Sequence, residues 1–153
     1  MLLIADVGPS SSEGFGASNI VVRNNRFESP NCVGAGDGTV VGLGASINGE
    51  TTHYPLLENI WFENNQFQEM TGPAITAASF KNLVVRNNTI INREKPPIVL
   101  PMRGCLRAEL GSGLWVEENT WTTPTGFASP TIFYDADTTR AVVCEGNQLN
   151  VVK

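Results

Sequence analysis

Apolar residues recur along this chain at fixed distances from a repeated asparagine. Five segments carry the pattern: NIVVRNNRF (Asn19 to Phe27), NIWFENNQF (Asn59 to Phe67), NLVVRNNTI (Asn82 to Ile90), GLWVEENTW (Gly113 to Trp121) and AVVCEGNQL (Ala141 to Leu149). They align on Asn25, Asn65, Asn88, Asn119 and Asn147. Five residues before this anchor stand Ile20, Ile60, Leu83, Leu114 and Val142; three before, Val22, Phe62, Val85, Val116 and Cys144. Two after come Phe27, Phe67, Ile90, Trp121 and Leu149. All three columns read as core, and the first two are separated by the strand period of two. A helix needs spacings of three and four with strong helix formers, and the segments have neither.

Steps between anchors are 40, 23, 31 and 28 residues, the spacing of a repeat whose turns carry insertions of different length. Each repeat is preceded by a candidate strand: Leu2 to Asp6, Thr39 to Leu43, Pro73 to Ala77, Ile98 to Met102 and Thr131 to Tyr134. Pro101 is awkward inside the fourth, which predicts a bulge or a displaced strand there. The remaining stretches Val7 to Ser18, Ile47 to Glu58 and Ala108 to Ser112 read as insertions. The polar anchor column is explained by a ladder of stacked Asn amides and by tolerance of the left-handed backbone. Two before the anchor, Arg23, Glu63, Arg86, Glu117 and Glu145 form one expected exposed row, alternating in sign over its first four members.

The architecture predicted is all-β, a right-handed parallel β-helix (solenoid) of about five coils, with residues 1–153 as one domain. Its first strand starts at residue 2, which leaves no room for a capping element. The chain therefore reads as the C-terminal portion of a longer β-helix protein. Equally, it reads as a subunit whose end a partner covers, and the isolated chain is expected to pair end to end as a homodimer through its N-terminal edge.

Composition narrows the function classes. Of 153 residues, 41% are hydrophobic and 16% charged, so a core can form. Asn and Gly number 15 each, a strand-and-turn bias. The net charge of -5 gives no basic footprint for nucleic acid or an anionic membrane. No apolar run approaches the ~20 residues of a membrane-spanning helix. Three scattered cysteines offer neither a zinc site nor a disulfide framework, and no cofactor or metal motif is expected.

The repeats resemble those of pectin-lyase-like right-handed β-helices. They are most similar to the C-terminal β-helix part of the α-1,3-galactosidases of glycoside hydrolase family 110. The resemblance rests on Leu2-Leu3-Ile4-Ala5, Glu13-Gly14 and Arg23-Asn24-Asn25-Arg26-Phe27. It continues through His53-Tyr54, the repeat from Asn59 to Phe67, and Asn87-Asn88-Thr89-Ile90, covering about residues 2 to 92. Where the family has aromatic loop residues before the Glu, this chain has Ser10-Ser11-Ser12. The resemblance implies the C-terminal segment of a carbohydrate-active enzyme, inactive alone, from an extracellular or periplasmic parent acting on galactosides. Hydrolysis would then use two carboxyl groups flanking the scissile bond.

Glu13 is the carboxylate whose position the resemblance supports; the alternative is a solvated loop Glu. Asp135 and Asp137 alternate in YDAD and suit a paired site, or else form a turn. His53, Tyr54 and Trp61 are the candidate sugar-binding residues. Trp61 and Trp115 face outward by strand parity, where an indole can stack on a sugar ring or lie under a loop. Against the enzyme part stands a different class, a non-catalytic solenoid serving in binding or structure, as in tailspikes and surface proteins. Two converging carboxylates in a cleft would separate the two.

Overall fold

The computed structural model describes residues 2–4, 16–28, 41–43, 46–47, 50–51, 55–70, 73–93, 106–124 and 131–152, the side chains at 2–4, 41–43, 46–47, 50–51 and 152 excepted. They form an all-β molecule built by five passes of the chain. The first pass supplies β1 (Leu2–Ile4), β2 (Ala17–Arg23) and β3 (Arg26–Glu28); the second supplies β4 (Val41–Leu43), a hairpin of β5 (Ser46–Ile47) and β6 (Glu50–Thr51), then β7 (Leu57–Glu63) and β8 (Gln66–Gln68). The third gives β9 (Ile75–Ala78), β10 (Phe80–Arg86) and β11 (Thr89–Ile91), and the fourth β12 (Leu106–Glu109), β13 (Ser112–Glu117) and β14 (Thr120–Pro124). The fifth gives β15 (Ile132–Tyr134), β16 (Arg140–Glu145) and β17 (Gln148–Val152).

Three five-stranded sheets result, ordered β1-β4-β9-β12-β15, β2-β7-β10-β13-β16 and β3-β8-β11-β14-β17. Every pairing within them is parallel and joins successive passes in register. Ile20 stands beside Ile60, Ile60 beside Leu83, Leu83 beside Leu114 and Leu114 beside Val142, so the aligned columns of the sequence are rows of the structure. One buried cluster draws on all three sheets: Ile75, Leu106 and Ala108 from the first, Ile60, Phe62, Leu83, Val85, Leu114 and Val116 from the second, Phe67, Ile90 and Trp121 from the third. The rings of Phe27 and Phe67 stack at 4.7 Å between centroids.

Burial is complete only in the middle three passes. Ile20, Val22 and Phe27 in the first pass and Val142 in the last are half-buried, Cys144 is exposed, and Leu149 is 40% exposed where Trp121 of the same row is 1%. Each core row needs a neighbour on both sides, and among the described residues the end strands have one. The expectation that all five repeats bury these columns holds for three.

The anchor asparagines form the expected ladder. Nδ2 of Asn25 donates to Oδ1 of Asn65 (3.1 Å), Asn65 to Asn88 (3.0 Å), Asn88 to Asn119 (2.9 Å) and Asn119 to Asn147 (2.9 Å). Each acceptor also receives the backbone N–H of the preceding anchor, and each inner amide donates back to a strand carbonyl: Asn65 to Val22, Asn88 to Phe62, Asn119 to Val85 and Asn147 to Val116. An amide suits this position because it has two donors and a carbonyl with two lone pairs. The left-handed backbone, however, falls on the residue before the anchor: Asn24, Asn64, Asn87, Glu118 and Gly146 all have φ between 52° and 64°. A second left-handed row lies six before the anchor, at Asn19, Asn59, Asn82, Gly113 and Ala141.

One strand lies elsewhere than expected. The fourth member of the first sheet is Leu106–Glu109, not Ile98 to Met102, which falls outside the described residues. Leu106 and Ala108 alternate inward and are buried, while Arg107 and Glu109 face out and form an ion pair at 3.1 Å. Ala108 to Ser112, expected as an insertion, is the end of β12, a bend at Leu110 and the start of β13.

Candidate functional site

The outward side of the second sheet carries three rows, because alternate residues of each strand leave the core. The row six before the anchor is polar in the first three passes, and its amides form a second ladder: Asn59 Nδ2 donates to Asn19 Oδ1 (3.2 Å), Asn82 Nδ2 to Asn59 Oδ1 (2.9 Å). This ladder escaped the sequence reading, although the three asparagines open the first three repeats. It ends at Gly113, where a Cβ would lie 2.8 Å from Asn82 Oδ1 and 2.9 Å from the Trp115 ring.

The middle row is apolar: Val21, Trp61, Val84, Trp115 and Val143 stand side by side across the strands. Val21 is 52% exposed, and Trp61 and Trp115 are half-buried. The third row runs Arg23, Glu63, Arg86, Glu117, Glu145 in register, as expected. Arg86 bonds Glu63 at 2.7 Å, and the last two acids are adjacent like charges. A screened surface pair of this kind is worth ~0–1 kcal/mol.

Between these rows lies a shallow cleft of about 390 Å³, lined by Asn59, Trp61, Asn82, Val84, Arg86, Trp115 and Glu117. Two indoles, two amides, a guanidinium and a carboxylate face one opening. That donor set matches the faces and edges of a sugar: aromatic rings stack on C–H faces, and planar polar groups bond pairs of hydroxyls. Trp61, singled out from sequence, lies here. Glu13, His53 and Tyr54 lie outside the described residues.

Asp135 and Asp137 sit on the turn between β15 and β16. Oδ1 of Asp135 accepts the Asp137 N–H at 2.9 Å, and its carbonyl accepts from Thr138 (3.2 Å) and Thr139 (2.7 Å). Asp137 lines a second cleft of about 430 Å³ with Pro55, Phe80, Leu110, Gly111, Ser112, Thr138 and Arg140, and Asp135 does not. Desolvation raises the pKa of the Cys144 thiol, the opposite of what a nucleophilic cysteine needs. Among the described residues no group of three or more His, Cys, Asp or Glu could hold a metal ion. No helix among them is long and apolar enough to cross a membrane.

Comparison with protein-family models, with curated proteins and with solved structures gives no match.

Proposed function

We propose that the chain is a right-handed parallel β-helix of five coils that binds carbohydrate across the outer face of its second sheet. The repeated three-strand order, the single core fed by three sheets and the anchor ladder support the β-helix. The observation that carries the binding function is the cleft holding Trp61 and Trp115 on one row, two strands apart. At ~4.8 Å per strand the indoles are ~9.6 Å apart, far enough for two linked pyranose rings to lie along the row. Asn59, Asn82, Arg86 and Glu117 flank that path on both sides.

The resemblance to family 110 galactosidases makes galactosides the saccharides of first choice. It casts this segment as part of a glycoside hydrolase outside the cytoplasm, with Glu13 as a catalytic carboxyl and His53 and Tyr54 as substrate-binding residues. Binding is favoured over hydrolysis because one carboxylate, Glu117, lines the cleft where hydrolysis uses two, while Glu63 is held by Arg86 and Asp135 by its own turn. A purely structural solenoid is the second reading. It is favoured by the mutual bonding of Asn59 and Asn82, which accounts for both amides without a ligand.

Titration with galactosides and a panel of neutral and acidic oligosaccharides, followed by tryptophan fluorescence and amide NMR shifts, tests the proposal. Saturable shifts at Trp61 and Trp115 are expected, with affinity lost about 2- to 13-fold in Trp115→Ala, the scale for an aromatic contact of ~0.5–1.5 kcal/mol. No response to any member of the panel at millimolar concentration leaves the structural reading in place.

A further inference from the structure

The second asparagine ladder stops in the third pass and leaves an acceptor open toward the fourth. Its direction is fixed by its bonds: Asn59 Nδ2 donates to Asn19 Oδ1 and Asn82 Nδ2 to Asn59 Oδ1, so each amide gives its protons to the preceding pass. The carbonyl oxygens of Asn19 and Asn59 are thereby filled. That of Asn82 receives no donor among the described residues. The next rung would stand at position 113, across from Asn82 between the pairs Lys81–Ser112 and Leu83–Leu114. Glycine occupies it, with φ 69°. The third and fourth passes both have a described strand on either side, so this opening lies within the stack.

Positive φ alone does not call for glycine in this row. Asn19, Asn59 and Asn82 adopt φ 58°, 56° and 60° there, and Ala141 adopts 53°. What glycine adds is space. A Cβ at position 113 would lie 2.8 Å from Asn82 Oδ1, 2.9 Å from Trp115 Cζ3 and 3.0 Å from Trp115 Cη2, all inside ordinary contact. The Trp115 indole leans back along its own strand into the place of the missing rung, beside the open acceptor. Trp115 and Asn82 both line the cleft described above.

We propose that Gly113 is the positioning residue of a sugar subsite made by Trp115 and Asn82, a proposal that rests on the carbohydrate-binding reading. A pyranose stacks a C–H face on the indole and donates a hydroxyl at its edge to Asn82 Oδ1. The ligand class selected is a saccharide with a free hydroxyl beside an apolar ring face. A unit carrying an ether or a carboxylate at that edge has no proton to give and is disfavoured.

The test is titration of the whole chain with galactobiose and cellobiose, which offer an axial and an equatorial hydroxyl, followed by amide NMR shifts. The row already holds Ala and Asn at positive φ, so Gly113→Ala and Gly113→Asn should keep the wild-type circular dichroism spectrum. Gly113→Ala should weaken binding of the better disaccharide about threefold by moving the ring. Gly113→Asn should weaken it about tenfold by also placing an amide on Asn82 Oδ1, since each contact is on the scale of 2- to 13-fold. Without ligand, both variants should shift tryptophan emission to the red, and the shift should vanish in a Trp115→Ala background. A second pair of variants reads the acceptor without touching Gly113. Asn82→Asp keeps an oxygen toward the cleft and gives up the bond to Asn59, and should hold affinity within about twofold; Asn82→Gly should lose about threefold. Disaccharide binding that ignores both Gly113 substitutions overturns the subsite while leaving carbohydrate binding standing, and so do equal losses in Asn82→Asp and Asn82→Gly. A wild type that binds neither disaccharide overturns this proposal together with the reading on which it rests.

Discussion

Replacing Asn88 by Ala should cost far more than replacing Asn25, although both occupy the same row. Asn88 is 1% exposed and takes part in four side-chain bonds. Oδ1 accepts from Asn65 N (2.9 Å) and Asn65 Nδ2 (3.0 Å), and Nδ2 donates to Phe62 O (2.9 Å) and Asn119 Oδ1 (2.9 Å). Truncation leaves the Asn65 backbone N–H without its partner, in a place water reaches poorly. That group alone should cost ~1–3 kcal/mol. Asn65 Nδ2 keeps its bond to Val22 O, and Asn119 Oδ1 keeps the Asn88 N–H, so these lose only part of their bonding. Adding about 0.5–1 kcal/mol for the lost bonds gives a total near 1.5–4 kcal/mol, a large part of the 5–15 kcal/mol of a typical domain. Asn25 is exposed, and water can replace its bonds, so Asn25→Ala should cost below about 1 kcal/mol. Urea unfolding followed by tryptophan fluorescence and by circular dichroism measures both, with coincident curves as the check on cooperativity. Equal losses for the two variants would refute the ladder as a source of stability, because Asn88 is buried with four side-chain bonds and Asn25 is exposed with two.

Phe67→Ala should cost ~3–5 kcal/mol, since the ring is fully buried against Phe27, whereas Leu149→Ala should cost about 1 kcal/mol at its half-open position. Similar losses at the two sites, read from urea midpoints, would contradict the assigned gradient of burial along this row. The Thr123 hydroxyl is buried without a hydrogen-bond partner among the described residues, so the isosteric Thr123→Val should raise stability by ~0.5–2 kcal/mol with an unchanged denaturant slope; a loss instead would show that the hydroxyl is bonded in solution.

In-register parallel stacking explains why so much of this fold is visible in the sequence. Each row places its residues in one repeated environment, so the same constraint is met five times with different residues. Ile60, Leu83 and Leu114 answer a shared cavity wall, and Asn65, Asn88 and Asn119 answer the same four bonding atoms. The errors have equally local causes. The dense apolar run Ile98 to Met102 points to a fourth strand of the first sheet there. The strand found, Leu-Arg-Ala-Glu, needs only alternate apolar residues, and Leu106 and Ala108 supply them. The second asparagine ladder went unread because its row changes to Gly113 and Ala141 after three passes. What the position demands is a positive φ, which Asn and Gly both tolerate well, and asparagine meets it in three of the five passes.

Strand parity has a further consequence for function. An inward row is explained by packing, and an outward polar row can be explained by its own bonds, as the Asn59–Asn82 amides and the Glu63–Arg86 pair show. The row Val21, Trp61, Val84, Trp115, Val143 has neither explanation. It faces away from the core in all five passes, and Val21 leaves half its surface in water. β-propensity accounts for valine at such sites, because branched side chains suit a pleated surface whichever way they face. It accounts less well for two tryptophans, each the largest apolar surface a residue can expose. Their placement two strands apart, with Val84 between them, puts both indoles in the lining of one cleft bordered by amides and charges. A covering loop would explain the indoles equally well as apolar surface, but it would leave the cleft closed. The opening between Trp61 and Trp115 is the observation on which the proposed binding role of this row rests.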